Sequence, residues 1–234
     1  MIGIIGAMEV EIRNILTKLT NTKARTIGGI DFTQGELGKS PVVVARCGIG
    51  KVNAAHCASI MITGFDVAGI INTGVAGGIA PHVEIGDVVI SQDLVQHDVE
   101  ATEFGYTTGQ VPGMESPYFA ACQNLVETAK KAGMAALAAN PGKALHIGRI
   151  ATGDQFIASP ADKNQIYANH QDKVLCTEME GAAIAQVCLL TNTPFVAIRA
   201  ISDKADGTAH EDFPAFVEEA SVISAKIVMD MVAD

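Results

Sequence analysis

Two acidic stretches far apart in the chain could do proton chemistry: Thr177-Glu178-Met179-Glu180-Gly181 and Arg199-Ala200-Ile201-Ser202-Asp203. Each closes an apolar run, Val174-Leu175-Cys176 in one case and Pro194-Phe195-Val196-Ala197-Ile198 in the other. Such short apolar runs predict strands buried on both faces of an α/β sheet. Open sheets bind ligands at the carboxyl ends of their strands, which is where Glu178, Glu180, Arg199 and Asp203 are expected. In a strand, Glu178 and Glu180 share one face and Met179 points to the other. Two like charges that close need a cation, hydrogen-bond donors or a ligand's hydroxyls. The alternative is that one of them caps the helix that follows. The plain role of Asp203, ahead of Lys204-Ala205-Asp206-Gly207, is a turn or N-cap residue. An apolar cleft would instead raise its pKa and let it carry a proton at neutral pH. Glu11, in the first helix, is by default a solvated or dipole-favoured charge.

The elements that must position these groups alternate between strand and helix. Ile2–Ile5 reads as a strand, Glu9–Leu19 as a helix with Ile12, Ile15, Leu16 and Leu19 at helical spacing, and Ile30–Leu37 and Pro41–Cys47 as extended segments. Gly48-Ile49-Gly50 opens a helix from about Val52 to Thr63. Val67–Asn72 is a buried strand that ends in Thr73-Gly74-Val75-Ala76-Gly77-Gly78, and Asp87–Ser91 continues the pattern. His97–Pro117 has no clean period and reads as a long loop, which in compact domains is usually functional or disordered. Tyr118–Gly133, Ala182–Leu190 and Phe216–Val232 read as helices, and Leu145–Ala151 as a strand. The pattern predicts a single α/β domain over 1–234, three-layer α/β/α with a central mixed sheet.

Composition narrows the function. With 16 Lys and Arg against 26 Asp and Glu, the formal charge of −10 repels nucleic acid and anionic membranes. No apolar stretch approaches a membrane span. The five cysteines form no CxxC pair and point to a reducing, cytoplasmic setting. The opening residues read as a first strand rather than a signal peptide. The six histidines show no metal-ligand spacing, so no metal or cofactor is expected. The glycine clusters fit neither GxGxxG with a following acid nor GxxxxGK[ST]; alone, they read as tight turns or close backbone approaches.

In order, Ile4-Ile5-Gly6-Ala7-Met8-Glu9-Val10-Glu11, Gly48-Ile49-Gly50-Lys51-Val52-Asn53-Ala54-Ala55, Asn72-Thr73-Gly74-Val75-Ala76-Gly77-Gly78, Phe104-Gly105-Tyr106, Gly153-Asp154-Gln155-Phe156-Ile157, Glu178-Met179-Glu180 and Arg199-Ala200-Ile201-Ser202-Asp203 run the length of the chain. Together they resemble the 5'-methylthioadenosine/S-adenosylhomocysteine nucleosidases of the nucleoside phosphorylase-like superfamily. The resemblance implies hydrolysis of an adenine N-glycosidic bond, with 5'-deoxyadenosine a further substrate, and a place in methionine salvage.

By position, Asp203 corresponds to the general acid that protonates adenine N7, with Ser202 holding its carboxyl. Glu11 corresponds to the water-activating carboxylate and Arg199 to a residue near that water. The resemblance assigns Glu180 to the ribose hydroxyls, Met179 to the sugar, Phe156 to stacking on adenine and Ile157 to its edge. Glu178, Ala76 and Gly77 belong to the same substrate-binding motifs. Met8, Ile49 and Phe213 line the 5'-alkylthio pocket, which a homodimer partner completes with residues matching Phe104, Tyr106 and Pro112. Val75 departs from relatives that carry Ser, as does Thr152. A phosphate-dependent phosphorylase shares this fold but needs cationic groups where this chain offers Glu9 and Glu11. A catalytically inactive nucleoside-binding protein is the other alternative, since fold alone does not exclude it.

Overall fold

Ile4 and Ile5 are both fully buried, yet they belong to different cores. Successive strand residues point to opposite faces, and the computed structural model, which describes residues 1–138 and 140–233, places helices over both. One core joins Ile5, Val43 and Ile70 to the helices α2 (Lys51–Phe65) and α5 (Gly181–Leu190). The other joins Ile4, Val42 and Ile71 to α1 (Glu9–Leu16), α3 (Gln123–Leu137) and α6 (Ala209–Ala233). This is the three-layer arrangement expected.

The strands are β1 (Ile2–Gly6), β2 (Thr20–Ile27), β3 (Ile30–Leu37), β4 (Ser40–Arg46), β5 (Gly69–Gly78), β6 (Val88–Gln96), β7 (Tyr118–Ala120), β8 (Leu145–Thr152), β9 (Val174–Glu178) and β10 (Phe195–Asp203). They form one mixed sheet, in which β10 pairs with both β5 and β6. The pairings β5–β9, β9–β8, β8–β6, β6–β10 and β10–β5 therefore close a ring, from which β1, β4, β3 and β2 extend. Closure brings the ends of β5, β9 and β10 together, and the acidic motifs with them.

Several boundaries differ from expectation. β5 runs through the glycines that were expected beyond its end, because Gly74 and Gly77 are paired to Arg199 and Asp203 of β10. Tyr118–Ala120, expected in a helix, instead pairs with β6. β2 has no buried residue to mark it, and Pro214 lies inside α6, which starts at Ala209 rather than near Phe216. α4 (Pro160–Asn169) is capped by the Ser159 hydroxyl. Residues 97–117 do form a long connection, with one short 3₁₀ turn at Thr102–Phe104.

Candidate active site

The two carboxylates that sequence spacing paired have separate jobs. Glu178 ends β9, and its Oε2 accepts the backbone N–H groups of Glu180 (3.1 Å) and Gly181 (2.8 Å) at the start of α5. It also accepts the Thr152 hydroxyl and pairs with Arg199 Nη2 at 2.5 Å. Glu178 is thus the helix-capping and ion-paired acid. Glu180 follows the strand end rather than sharing a strand face, and its Oε1 accepts a different backbone donor, the Gly50 N–H, at 2.9 Å. Burial and the neighbouring Glu178 charge push its pKa up to about 8.

Glu11 reaches into the same cavity from the first turn of α1. Its Oε2 accepts Ala7 N–H (2.7 Å) and Met8 N–H (2.8 Å), and its Oε1 accepts Val75 N–H (3.0 Å). Burial raises its pKa, while the Arg199 charge and the three amides oppose that rise. Asp203 ends β10: its Oδ2 accepts the Ser202 hydroxyl (2.9 Å) and its Oδ1 the Ala205 N–H (2.9 Å). Burial raises the Asp203 pKa too, and the neighbouring charges Asp212 and Asp206 add to the rise. The surroundings of the two acids differ: Glu11 has three amides and a cation that favour its anion, and Asp203 has two donors and nearby anions.

The glycines make room for these groups. A Cβ on Gly74 would lie 2.4 Å from Glu11 Oε1, and one on Gly77 would lie 2.7 Å from Asp203 Oδ1. We expect Gly74→Ala to fold but to displace the Glu11 carboxylate, lowering kcat about a hundredfold, as misplacement of a reacting group by an ångström does. Steady-state turnover beside the melting temperature checks this.

These groups line one cavity of about 500 Å³, together with Met8, Ile49, Val75, Ala76, Gly77, Gln155, Phe156, Ile157, Thr177, Met179, His210 and Phe213. Phe156 is 45% exposed and meets the Phe213 ring edge-on, with centroids 5.8 Å apart and planes at 80°. Its open face is available to a flat ligand. Among the described residues the cavity wall carries no Lys or Arg.

The model of the phosphorylase superfamily matches residues 1–233. A 5'-methylthioadenosine/S-adenosylhomocysteine nucleosidase of Shewanella loihica is 41% identical over 231 residues, covering 98% of this chain and 97% of its own. That of Bacillus subtilis is 40% identical over 231 residues, covering 99% and 97%. The crystal structure of the Neisseria meningitidis nucleosidase, in complex with methylthio-immucillin-A, superposes with a TM-score of 0.93 at 41% identity, covering 99% of this chain and 98% of its own. The chain belongs to this nucleosidase family.

Three features of this nucleosidase-family site depart from, or add to, the sequence reading. Arg199 lies in the middle of β10 rather than at its end; it is 1% exposed and forms no part of the cavity wall. Its Nη2 is held by Glu178 and Asn72, so it acts on the cavity through its charge. Phe104, Tyr106 and Pro112 lie outside the wall of this chain's own cavity, and Phe104 is 84% exposed. His210, Gln155, Thr177, Ala7 and Val75 line the cavity but were not among the predicted site residues. His210 falls between the sequence motifs and the helix expected from Phe216, and no local spacing marks it, although its ring stands 5.4 Å from that of Phe156.

Proposed function

We propose that the chain hydrolyses the N-glycosidic bond of 5'-methylthioadenosine and S-adenosylhomocysteine, with 5'-deoxyadenosine as a further substrate, releasing adenine and the 5'-substituted ribose. What carries the reading is the pairing, in one largely apolar cavity, of an amide-held carboxylate, Glu11, with a second carboxyl, Asp203, whose pKa burial raises.

Phe156 stacks on the adenine and Ile157 borders its edge, while Glu180 takes the ribose hydroxyls beside Met179. Glu180 has one oxygen on Gly50 and the other available to the sugar. As the C1'–N9 bond breaks, Asp203 gives its proton to N7 and the base departs neutral. Positive charge grows on C1' and the ring oxygen; Glu11 removes a proton from a water whose oxygen bonds to C1'. One water is consumed and the proton count balances. The division of labour between two carboxyls is that of inverting glycoside hydrolysis.

A phosphorylase must bind a dianion, and Glu11 at the nucleophile position repels one while no Lys or Arg side chain among the described residues faces the cavity. An inactive binding protein has no need of Glu11, Glu180 and Asp203 together. Met8, Ile49 and Phe213 are suited to the 5'-alkylthio group. The exposure of Ile49, Val52 and Phe104 supports a homodimer in which the partner's loop covers this end of the cavity. The free cysteines fit a reducing, cytoplasmic setting, and methionine salvage is the corresponding role. No helix among the described residues is long and apolar enough to cross a membrane.

The test is incubation with 5'-methylthioadenosine, with and without phosphate, followed by mass spectrometry of the sugar. Methylthioribose formed equally in both is expected. Methylthioribose 1-phosphate that requires added phosphate would make the protein a phosphorylase, and binding with no turnover would make it a binding protein.

A further inference from the structure

Gly50 and Lys51 are consecutive in sequence, and their backbone amides hold two carboxylates from distant segments, Glu180 and Asp154. Gly50 N–H binds Glu180, the ribose side, at 2.9 Å; Lys51 N–H binds Asp154 Oδ1, at the start of the base-stacking loop, at 2.8 Å. The Lys51 side chain then crosses to the end of β6. There its Nζ donates to Asp98 Oδ1 at 2.6 Å and to Gln96 Oε1 at 3.0 Å. The second oxygen of Asp98 accepts the Asp154 N–H at 2.9 Å. Lys51, Asp98 and Asp154 thereby close a ring of hydrogen bonds joining three segments that are far apart in the chain.

The ring is sheltered where its charges meet. The Lys51 and Asp98 side chains are 18% and 16% exposed. Burial alone would raise the Asp98 pKa, but the hydrogen bonds from Lys51 and the Asp154 amide bring it below the ordinary carboxylate value. Gln96 passes the network on to Gln186 in α5 at 2.6 Å. Phe156 lies two residues beyond Asp154, and residues 99–117, which carry Phe104, Tyr106 and Pro112, follow Asp98 directly.

We infer that Lys51, Asp98 and Asp154 are positioning residues that fix the base-stacking loop against the ribose-binding carboxylate, so that adenine is held at one distance from Glu180. The inference rests on the proposed nucleoside cleavage for its ligand. It assigns the three residues to binding of the base, since none of them reaches Asp203 or Glu11.

Lys51→Met, Asp98→Asn and Asp154→Ala are each expected to weaken adenine binding, read by calorimetry, and to raise KM for 5'-methylthioadenosine about tenfold, the scale of losing a hydrogen bond to a charged group, with kcat within about threefold. In a double-mutant cycle, Lys51→Met with Asp98→Asn should be little worse than either alone, because each already opens the ring. A purely structural role would lower the melting temperature while leaving adenine affinity at the parent value, and that result would overturn the inference, as would losses that multiply in the double variant. Asp154 is exposed, so its alanine variant keeps the test available should Lys51→Met fold poorly. A parent protein that binds adenine but cleaves nothing would refute the proposed reaction and leave the adenine-binding comparison intact.

Discussion

Asp203→Asn is expected to lower kcat by about 10²–10⁴-fold, the range that a positioned general acid supplies, with adenine affinity close to the parent value. The variant should fold. Asn keeps the shape of the side chain, its Oδ1 can still accept the Ala205 amide, and the Ser202 hydroxyl, which now donates to Asp203 Oδ2 at 2.9 Å, can turn to accept instead. What the amide lacks is a proton to give to N7. Burial raises the Asp203 pKa, so in the parent the protonated form persists above the ordinary range and kcat falls as pH rises through the raised value. That alkaline limb should vanish from the residual activity of Asp203→Asn. The acid limb, which reports ionisation of Glu11, should remain. A variant that cleaves 5'-methylthioadenosine at the parent rate would remove Asp203 from the role of acid.

Glu180 and Asp203 could be singled out because they follow short apolar runs, and strand ends are where a sheet presents side chains to a ligand. Glu11 carried no such mark: its three amide donors come from Ala7, Met8 and Val75, and the last is 64 residues away in the chain. Only the resemblance pointed to it. The glycines of β5 were visible, but their purpose depends on which side chains cross them, Glu11 at Gly74 and Asp203 at Gly77. The strand β2 escaped notice because its residues are exposed apart from half-buried Ile27, so it shows no alternation of apolar and polar positions. The ring of Lys51, Asp98 and Asp154 spans separations of 47, 56 and 103 residues, and no local spacing encodes it.

Arg199→Met should destabilise the fold by about 3–5 kcal/mol, the usual result of stranding one member of a buried ion pair. Arg199 is the cation beside Glu178, and the arginine itself is anchored by Asn72 and by the Ile198 carbonyl at 3.1 Å. Without it, Glu178 keeps its backbone and Thr152 donors but no opposing charge, and Glu11 and Glu180 lose the positive field that opposes their rise. Glu11 and Glu180 have folded-state pKa values above their unfolded ones, and loss of the cation raises them further. The stability of the variant is therefore greatest below the unfolded carboxylate range and declines as pH rises through the raised values, so its deficit against the parent should widen from acid to alkaline pH. Neutralising the partner should reverse much of the loss: Arg199→Met with Glu178→Gln should be more stable than Arg199→Met alone. Urea unfolding of the parent, the two single variants and the double variant across pH 5 to 9 would measure this. The surviving folded Arg199→Met should also show the acid limb of kcat moved upward, because Glu11 ionises less readily without the nearby cation. Equal stabilities for Arg199→Met and the double variant at every pH would mean that the ion pair is not what holds Glu178 in the cap of α5, and that the capping amides suffice.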